Sequence, residues 1–313
     1  MTESRILITD GLDDIGQVIL RASAFVQDSN GISAGELIKI IPEYDAIILR
    51  GRTKLSVEVI QAGKKLKVIG RAGVGVDNIE LSAAKNQKII VVNAPLSTST
   101  AVAELTIGLL LALAREIPRA DLSMKNGQWI KKELVGTELM GKTLGIIGIG
   151  RIGVEVSQRA VAFGMNVIAY DPFIEEREIE QRGAQPVSIQ DLFAWSDFIS
   201  LHLPRNVETR DWISNQAFSE MKEGVRIVCA ARGGIIDETA LLAALNSGKV
   251  AGAALDVFSS EPPSMDALIQ HPHVIATPHI GAQTTESQAR ASKDIAEEVI
   301  AALEGKPLRW RVA

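Results

Sequence analysis

The sequence predicts an α/β protein made of two doubly wound parallel-sheet domains, one flavodoxin-like and one of Rossmann type. Short apolar runs bounded by Gly, Asp or Asn alternate with helical patterns along most of the chain, as parallel strands covered on both faces do. The length of 313 residues is about twice that of a usual single domain. A glycine-rich strand-to-helix turn near the middle, "GIIGIGRIG", opens a second series of such units.

Taken in order, "RILIT", "AIILR", "LKVIG" and "IIVVN" read as strands within residues 5–93, with helix-like segments between them. Next comes "STSTAVAELTIGLLLALAREIPRADLSM", a long helical stretch with a Ser/Thr cluster as N-cap and Glu104 early in it. Its apolar side is wide enough to be buried, and Pro118 marks a break into two helices. The segment suits a crossing between domains and part of a dimer surface. The second series runs through "TLGIIG", "NVIAY", "DFISLHL", "VRIVCA", "AGAALDV" and "HVIATP", joined by crossovers that are right-handed in parallel sheets. A last helix over residues 284–303 is followed by "EGKPLRWRVA", and no further C-terminal domain is expected.

Composition narrows the function. A net charge of −5 gives no basic footprint, so nucleic acid is not an expected partner. The single cysteine, Cys229, supports neither a disulfide framework nor a thiolate zinc site, and no metal is expected. The start "MTESRILITDG" lacks the apolar stretch of a signal peptide, and "IGLLLALA" is too short to span a bilayer. A cytoplasmic protein away from the membrane is the expectation.

Gly148, Gly150 and Gly153 form G-x-G-x-x-G around Arg151 and Ile152, between an apolar strand and a helix. Such a turn lets a pyrophosphate approach the helix N-terminus, where free N–H groups and the helix dipole stabilise it. Asp171 ends the next strand, 23 residues on (171 minus 148), where a carboxylate binds a ribose hydroxyl pair and repels a 2′-phosphate. NAD is therefore favoured over NADP. The competing reading is a close-packed glycine turn with a helix-capping Asp.

Further polar residues close later strands: His202 and Pro204 after "ISL", Arg232 after "RIVCAA", Asp256 after "AGAAL" and His279 after "VIATP". The carboxyl ends of parallel strands share one edge, where ligands bind. His271 and His273 precede the strand that His279 follows, so the pair and His279 fall at opposite ends and share no ion. His202 is open between a packed strand-end residue and a member of the site. An imidazole ordinarily titrates near neutrality, which suits His279 to moving a proton while a nicotinamide moves a hydride, and Glu261 in "DVFSSEPP" is a candidate to orient it. Arg232 suits a substrate carboxylate or carbonyl. Taken singly, a surface salt bridge for Arg232 and a helix cap for Glu261 are the favoured readings; taken together with the other strand-end residues, they are not.

At this point the chain resembles the D-isomer-specific 2-hydroxyacid dehydrogenases over essentially its whole length. The signatures run in order: "GRAGVGVDNIE", "NAPLSTSTAVAELTIG", "GTELMGKTLGIIGIGRIG", "LHLPRNVETR", "AARGGIIDETAL", "ALDVFSSEPP" and "TPHIGAQT". The resemblance, strongest to the phosphoglycerate-oxidising branch, implies a catalytic Arg232, Glu261 and His279, with His279 taking the hydroxyl proton and Glu261 supporting it. It implies that NAD meets Gly148, Gly150, Arg151, Ile152, Gly153, Asp171, His202, Pro204, Thr209, Ala230, Arg232, His279 and Gly281, and that Asp256 contacts the nicotinamide carboxamide. It implies a substrate carboxylate at the backbone N–H groups of Val74 and Gly75, an anion nest near Arg71. It further implies a discontinuous substrate-binding domain (residues 1–97 and 286–313), an NAD-binding domain (98–285) with the cleft between them, and a homodimer through the segment after residue 100.

Arg50, Arg52 and Lys54 in "LRGRTK" follow a first-domain strand and suit a phosphate, which favours 3-phospho-D-glycerate, the entry to serine synthesis. Solvation is an equal reading for Arg52 and Lys54. Leu96, Ser97 and Thr98 stand where Asn-Gly-Asn is common in that branch, and Cys229 where Asn is common, departures that fall on the substrate loop. A glyoxylate, hydroxypyruvate or other 2-keto acid reductase, and an NAD(H)-sensing interaction protein, remain as alternatives. Serine feedback through a small regulatory domain is not expected.

Overall fold

The computed structural model describes residues 3–264 and 266–313, and the elements below are those of the described residues. The chain divides into two compact units: residues up to Thr98 with Ala282–Ala313, and Ser99–Gly281.

The first unit contains β1 (Arg5–Ile8), α1 (Asp14–Arg21), β2 (Phe25–Asp28), α2 (Ala34–Ile40), β3 (Ala46–Leu49), α3 (Val57–Ala62), β4 (Val68–Arg71), α4 (Leu81–Asn86) and β5 (Ile90–Asn93). Its strands pair in parallel in the order β2-β1-β3-β4-β5, the flavodoxin-like arrangement. The strand period of two sorts the core. Ile6, Ile8, Val68 and Val92 face one way, toward Leu20 of α1 and toward Ile295, Ala296 and Val299 of a helix from the end of the chain. Leu7, Ile47, Leu49, Ile69 and Val91 face the other way, onto Leu37, Val59, Ile60 and Ala84 of α2, α3 and α4. Each fully buried Ile or Leu is worth about 1.5–3 kcal/mol, so neither layer is dispensable.

The second unit begins with α5 (Ser99–Arg115) and α6 (Ile117–Lys125). The break between them falls at Glu116, held in the left-handed region at φ 50°, with Pro118 in the first turn of α6. There follow β6 (Thr143–Ile147), α7 (Arg151–Ala162), β7 (Asn166–Tyr170), α8 (Glu176–Gln181), β8 (Gln185–Pro186), α9 (Ile189–Trp195), β9 (Phe198–Leu201), α10 (Asn215–Glu220), β10 (Val225–Cys229), α11 (Glu238–Ser247), β11 (Val250–Leu255) and β12 (Val274–Ala276). All pair in parallel in the order β12-β11-β10-β9-β6-β7-β8, a Rossmann sheet with an added edge strand. One face packs on α5, α7 and α8 through Ile107, Leu110, Val156, Ala160 and Ile179. The other packs on α9, α10 and α11 through Leu192, Phe218 and Leu241, and includes Cys229.

The chain then returns to the first unit with α12 (Thr285–Leu303), capped by the Thr284 hydroxyl, which accepts from Ser287 N. Beyond α12 the terminal segment bridges antiparallel to β5 at Val92 and Arg311. The Glu298 carboxylate, 2 % exposed, anchors that segment by accepting from Arg309 Nε at 2.7 Å and Trp310 N at 3.1 Å.

Two strands differ from the sequence reading. β2 was expected within a helix-like stretch; it is an edge strand on which Val26 alone is buried, so its apolar signal is a single residue. β8 has two residues and is likewise an edge. Among the described residues no helix is long and apolar enough to cross a membrane.

Candidate active site

In a doubly wound sheet the crevice opens at the carboxyl ends where strand order reverses. In the second unit that point lies between β6 and β9, and the glycine turn sits there. Gly148 takes φ +92°, and a Cβ on it would lie 2.9 Å from the His202 carbonyl carbon. A Cβ on Gly153 would lie 2.3 Å from Gly148 O. Both contacts are below what a side chain tolerates, so the turn packs this tightly only with glycine at both places. Gly150, the N-cap of α7, supplies no side-chain cap, and a Cβ there would meet open space. Arg151 and Ile152 open the helix. A helix start with N–H groups uncapped by any side chain and room beside it fits a dinucleotide pyrophosphate.

Asp171 follows β7 with each oxygen in use: Oδ2 accepts from Ile149 N at 3.0 Å and Oδ1 from Phe173 N at 2.9 Å. It braces the glycine turn, and its remaining lone pairs can still meet a ribose. His202 turns its Nε2 to the buried Ser200 hydroxyl at 2.7 Å, while Nδ1 is buried without a partner. Burial pushes its pKa down to about 4, so the ring is neutral at ordinary pH. Thr209, buried, is held by its own loop, donating to Pro204 O at 2.7 Å and accepting from Asn206 N at 2.9 Å. Ala230 is buried beside the β10 end.

At the far side of the sheet the ends of β10, β11 and β12 carry the titratable groups. His279 sits in the left-handed region at φ 54°. Its Nδ1 lies 2.7 Å from Glu261 Oε2, and Glu261 Oε1 accepts from Phe258 N at 3.2 Å. The hydrogen bond to Glu261 raises the His279 pKa; burial and the Arg232 charge oppose it, while the Glu261 and Asp256 charges add to it. For Glu261, burial works upward but is outweighed by the bond and charge of His279, the Phe258 N–H and Arg232, so its carboxyl stays below the usual range. Chemically, such a pair can serve as a base with an anionic orienter.

Asp256, 1 % exposed, fixes the turn that bears His279. Its Oδ1 accepts from Thr277 Oγ1 at 2.6 Å and Ile280 N at 2.8 Å, and its Oδ2 from Gly281 N at 2.8 Å. Arg232 donates from Nη1 to Ala231 O at 2.7 Å. Gly233, next in the chain, lets the loop bearing Glu261 come close, since a Cβ there would lie 1.7 Å from Phe258 O. His271 and His273 lie before β12, ring centroids 5.6 Å apart, at the opposite end from His279. Among the described residues no group of three His, Cys, Asp or Glu could hold a metal ion.

In the first unit the order reverses between β1 and β3. Arg50 follows β3, donating to Gln283 Oε1 at 3.4 Å. Arg52, exposed, donates to Thr9 O at 2.6 Å and Asp10 Oδ1 at 3.2 Å, and Lys54 is exposed as well. Arg71 ends β4 and reaches Ala72 O at 2.8 Å. The Val74–Gly75 turn is tied by Asn93 Nδ2, which donates to Val74 O at 2.8 Å. Asn93, Thr277, Gly233 and Asp10 were not singled out from sequence. The one signal was that three strand runs, "LITD", "IAYD" and "AALD", end in Asp.

Residues 107–281 match the family model "D-isomer specific 2-hydroxyacid dehydrogenase, NAD binding domain". The chain is 46% identical to a D-3-phosphoglycerate dehydrogenase of Synechocystis over 311 residues, covering 99% of this chain and 56% of that one. It thus spans about half the length of the curated relatives it matches. Among solved structures it superposes on a glyoxylate reductase from Paecilomyes thermophila with a TM-score of 0.91 at 33% identity, covering 100% of this chain and 99% of that one. It superposes on a D-lactate dehydrogenase from Aquifex aeolicus, solved with NAD and lactic acid, with a TM-score of 0.84 at 30% identity and 96% coverage of both chains.

Proposed function

Because the chain belongs to the D-isomer-specific 2-hydroxyacid dehydrogenases, we propose that it oxidises a D-2-hydroxy acid with NAD, and that the acid is 3-phospho-D-glycerate. The observation that carries this reading is the His279–Glu261 pair, 2.7 Å apart, in the same unit as the Gly148–Gly153 turn. NAD, when bound, accepts hydride from C2 of the acid. The second unit is the NAD-binding domain, where the α7 N-terminus takes the pyrophosphate and Asp171 a ribose hydroxyl pair. Gly150, Arg151, Ile152, His202, Pro204, Thr209, Ala230 and Gly281 line the cofactor.

Glu261 holds the Nδ1 side of His279, so Nε2 faces the hydroxyl and takes its proton. The imidazolium that forms is stabilised by the Glu261 carboxylate. Arg232, always charged, holds the substrate carboxylate and polarises the C2 oxygen as it becomes a carbonyl. Asp256 keeps His279 in place through the 277–281 turn and is also the group offered to the nicotinamide amide. The first unit binds substrate: the Val74 and Gly75 N–H groups and Arg71 receive the carboxylate, and Arg50 the phosphate.

A reductase of glyoxylate or another small keto acid is the second reading. It is favoured by Arg52, whose guanidinium is turned to Thr9 O and Asp10, which leaves Arg50 to meet a phosphate. Following NADH absorbance with 3-phosphoglycerate, glycerate, lactate and 2-hydroxyglutarate, and the matching keto acids in reverse, separates the two, with His279→Ala as control. Selective turnover of the phosphorylated acid supports the first reading, and equal turnover of unphosphorylated acids the second. A cytoplasmic homodimer completes the proposal. It is supported by large apolar side chains exposed along the α6 region, among them Leu122, Met124, Trp129, Val135 and Met140.

A further inference from the structure

Arg50 owes its position to a turn that is gripped from two sides. Asp10 stands beyond β1 and Arg50 beyond β3, neighbouring parallel strands at the reversal point of the first sheet. The Asp10 carboxylate, its side chain 4% exposed, accepts four hydrogen bonds from three of the four residues that follow β3. Oδ2 takes Arg50 N at 2.7 Å and Thr53 N at 3.1 Å; Oδ1 takes Thr53 Oγ1 at 2.5 Å and Arg52 Nη2 at 3.2 Å. From the other side Asn78, in the segment after β4, donates its one amide nitrogen to Arg50 O at 2.8 Å and Thr53 O at 2.7 Å. The first and last residues of the turn therefore have both N–H and C=O engaged, each N–H by Asp10 and each C=O by Asn78.

That arrangement fixes the backbone under Arg50 while leaving its guanidinium facing the exposed Gln283 side chain. A flexible arginine on a loose loop loses side-chain and backbone freedom when it binds an anion; one on a fixed turn loses less. The negative charge of Asp10 also offsets the repulsion between Arg50 and Arg52. Burial works against this carboxylate, but its bonds to Thr53, Arg50 and Arg52 outweigh it and hold its pKa below the ordinary value.

Resting on the reading of Arg50 as the phosphate contact, we propose that Asp10 and Asn78 are positioning residues that set selectivity for phosphorylated over unphosphorylated 2-hydroxy acids. Asp10→Asn is the sharp variant. An amide offers one acceptor oxygen where the carboxylate offers two, so one of the two donor pairs must face an NH₂ group. Asn78→Ala removes the opposite grip without changing charge, and it carries the test if Asp10→Asn does not fold.

The experiment compares kcat/KM for 3-phosphoglycerate and for glycerate in wild type, in each variant, in Arg50→Ala and in the Asp10→Asn/Arg50→Ala double variant. The expected result is a fall of about tenfold in the ratio of the two values in each single variant, seen in KM for the phosphorylated acid rather than in kcat, and no further fall in the double variant. Equal losses on both acids, or an Asp10→Asn effect that persists undiminished without Arg50, would show a merely structural role and overturn the proposal. With an active wild type, an unchanged ratio in Arg50→Ala overturns it as well, leaving the dehydrogenase reading intact. A wild type that oxidises neither acid overturns the functional reading and this inference with it.

Discussion

Replacing Glu261 with Gln changes one atom and leaves the loop otherwise intact, yet two donors face its two oxygens: His279 Nδ1 at 2.7 Å and Phe258 N at 3.2 Å. The amide can satisfy only one of them, and it cannot neutralise the imidazolium formed as the substrate proton arrives. A hydrogen bond to a charged group is worth about 1.5–3 kcal/mol. Because the two side chains are 50% and 37% exposed, solvent screening places this pair at the lower end. About 1.5 kcal/mol then gives a loss of about tenfold in the proton-transfer step. The pH dependence has a definite sign. Glu261 raises the His279 pKa, so its loss lowers it. Oxidation needs neutral His279, and its acid limb moves to lower pH; reduction needs the protonated ring, and its alkaline limb also moves to lower pH. Single-turnover formation of NADH across pH measures the step without interference from product release, and NAD titration by fluorescence checks that cofactor binding is retained. An unchanged rate and pH profile would remove Glu261 from the mechanism.

Asp171→Ala is expected to weaken NAD and relax the bias against NADP by about tenfold in the ratio of their kcat/KM values, and an unmoved ratio would assign Asp171 to bracing the glycine turn alone. Gly233→Ala forces Phe258 O, 1.7 Å from the new Cβ, to move; kcat should fall at least about tenfold with the NAD Kd unchanged, because the displaced loop carries Glu261. His202, with its pKa near 4 in the fold and 6.5 ordinarily, binds its proton in the unfolded chain first, so it makes stability decline as pH falls from 6.5 toward 4, by at most about 3 kcal/mol. In denaturant titrations His202→Gln should flatten that slope, and an equal slope would contradict the neutral buried ring. Glu298→Ala should cost about 2 kcal/mol and lower Tm by several degrees, since it removes the acceptor of Arg309 Nε and of the Trp310 N–H, with Arg309 keeping its contact to Glu297; an unshifted melting curve would show that the terminal segment does not need this anchor.

Much of this arrangement is legible in the sequence because parallel strands buried on both faces cannot disguise themselves. "AIIL" and "NVIAY" lie where their apolar runs place them. β2 and β8 escaped because edge strands are half solvated and present one buried side chain or none. The pairing of Glu261 with His279 follows from two neighbouring strand ends. The supporting bonds are harder to read. Asp10 reaches Arg50 and Thr53 across 40 and 43 residues, and nothing local to "LITDG" shows which strand will lie beside it. Once the strand order is known a rule emerges: Asp10, Asp171 and Asp256 each end a strand run and accept backbone N–H groups from the turn after the adjacent strand. Arg52, read equally as solvated or phosphate-facing, is exposed and spends part of its guanidinium on Thr9 O and Asp10, a pairing that no local pattern in "LRGRTK" shows.

The path of the chain through its two sheets also dictates an order of assembly. Residues 99–281 form one contiguous unit whose contacts are complete once Gly281 has been synthesised. The first sheet, although its strands are made earliest, has the side bearing Ile6, Ile8, Val68 and Val92 covered only in part, by α1 through Leu20, until Ile295, Ala296 and Val299 of α12 arrive. During synthesis at about 5–20 residues per second, that apolar face waits roughly ten seconds or more for its cover. The segment made first is therefore finished last, and the interval in which its sheet edge and open face invite misassociation is set by the length of the unit inserted between its two parts.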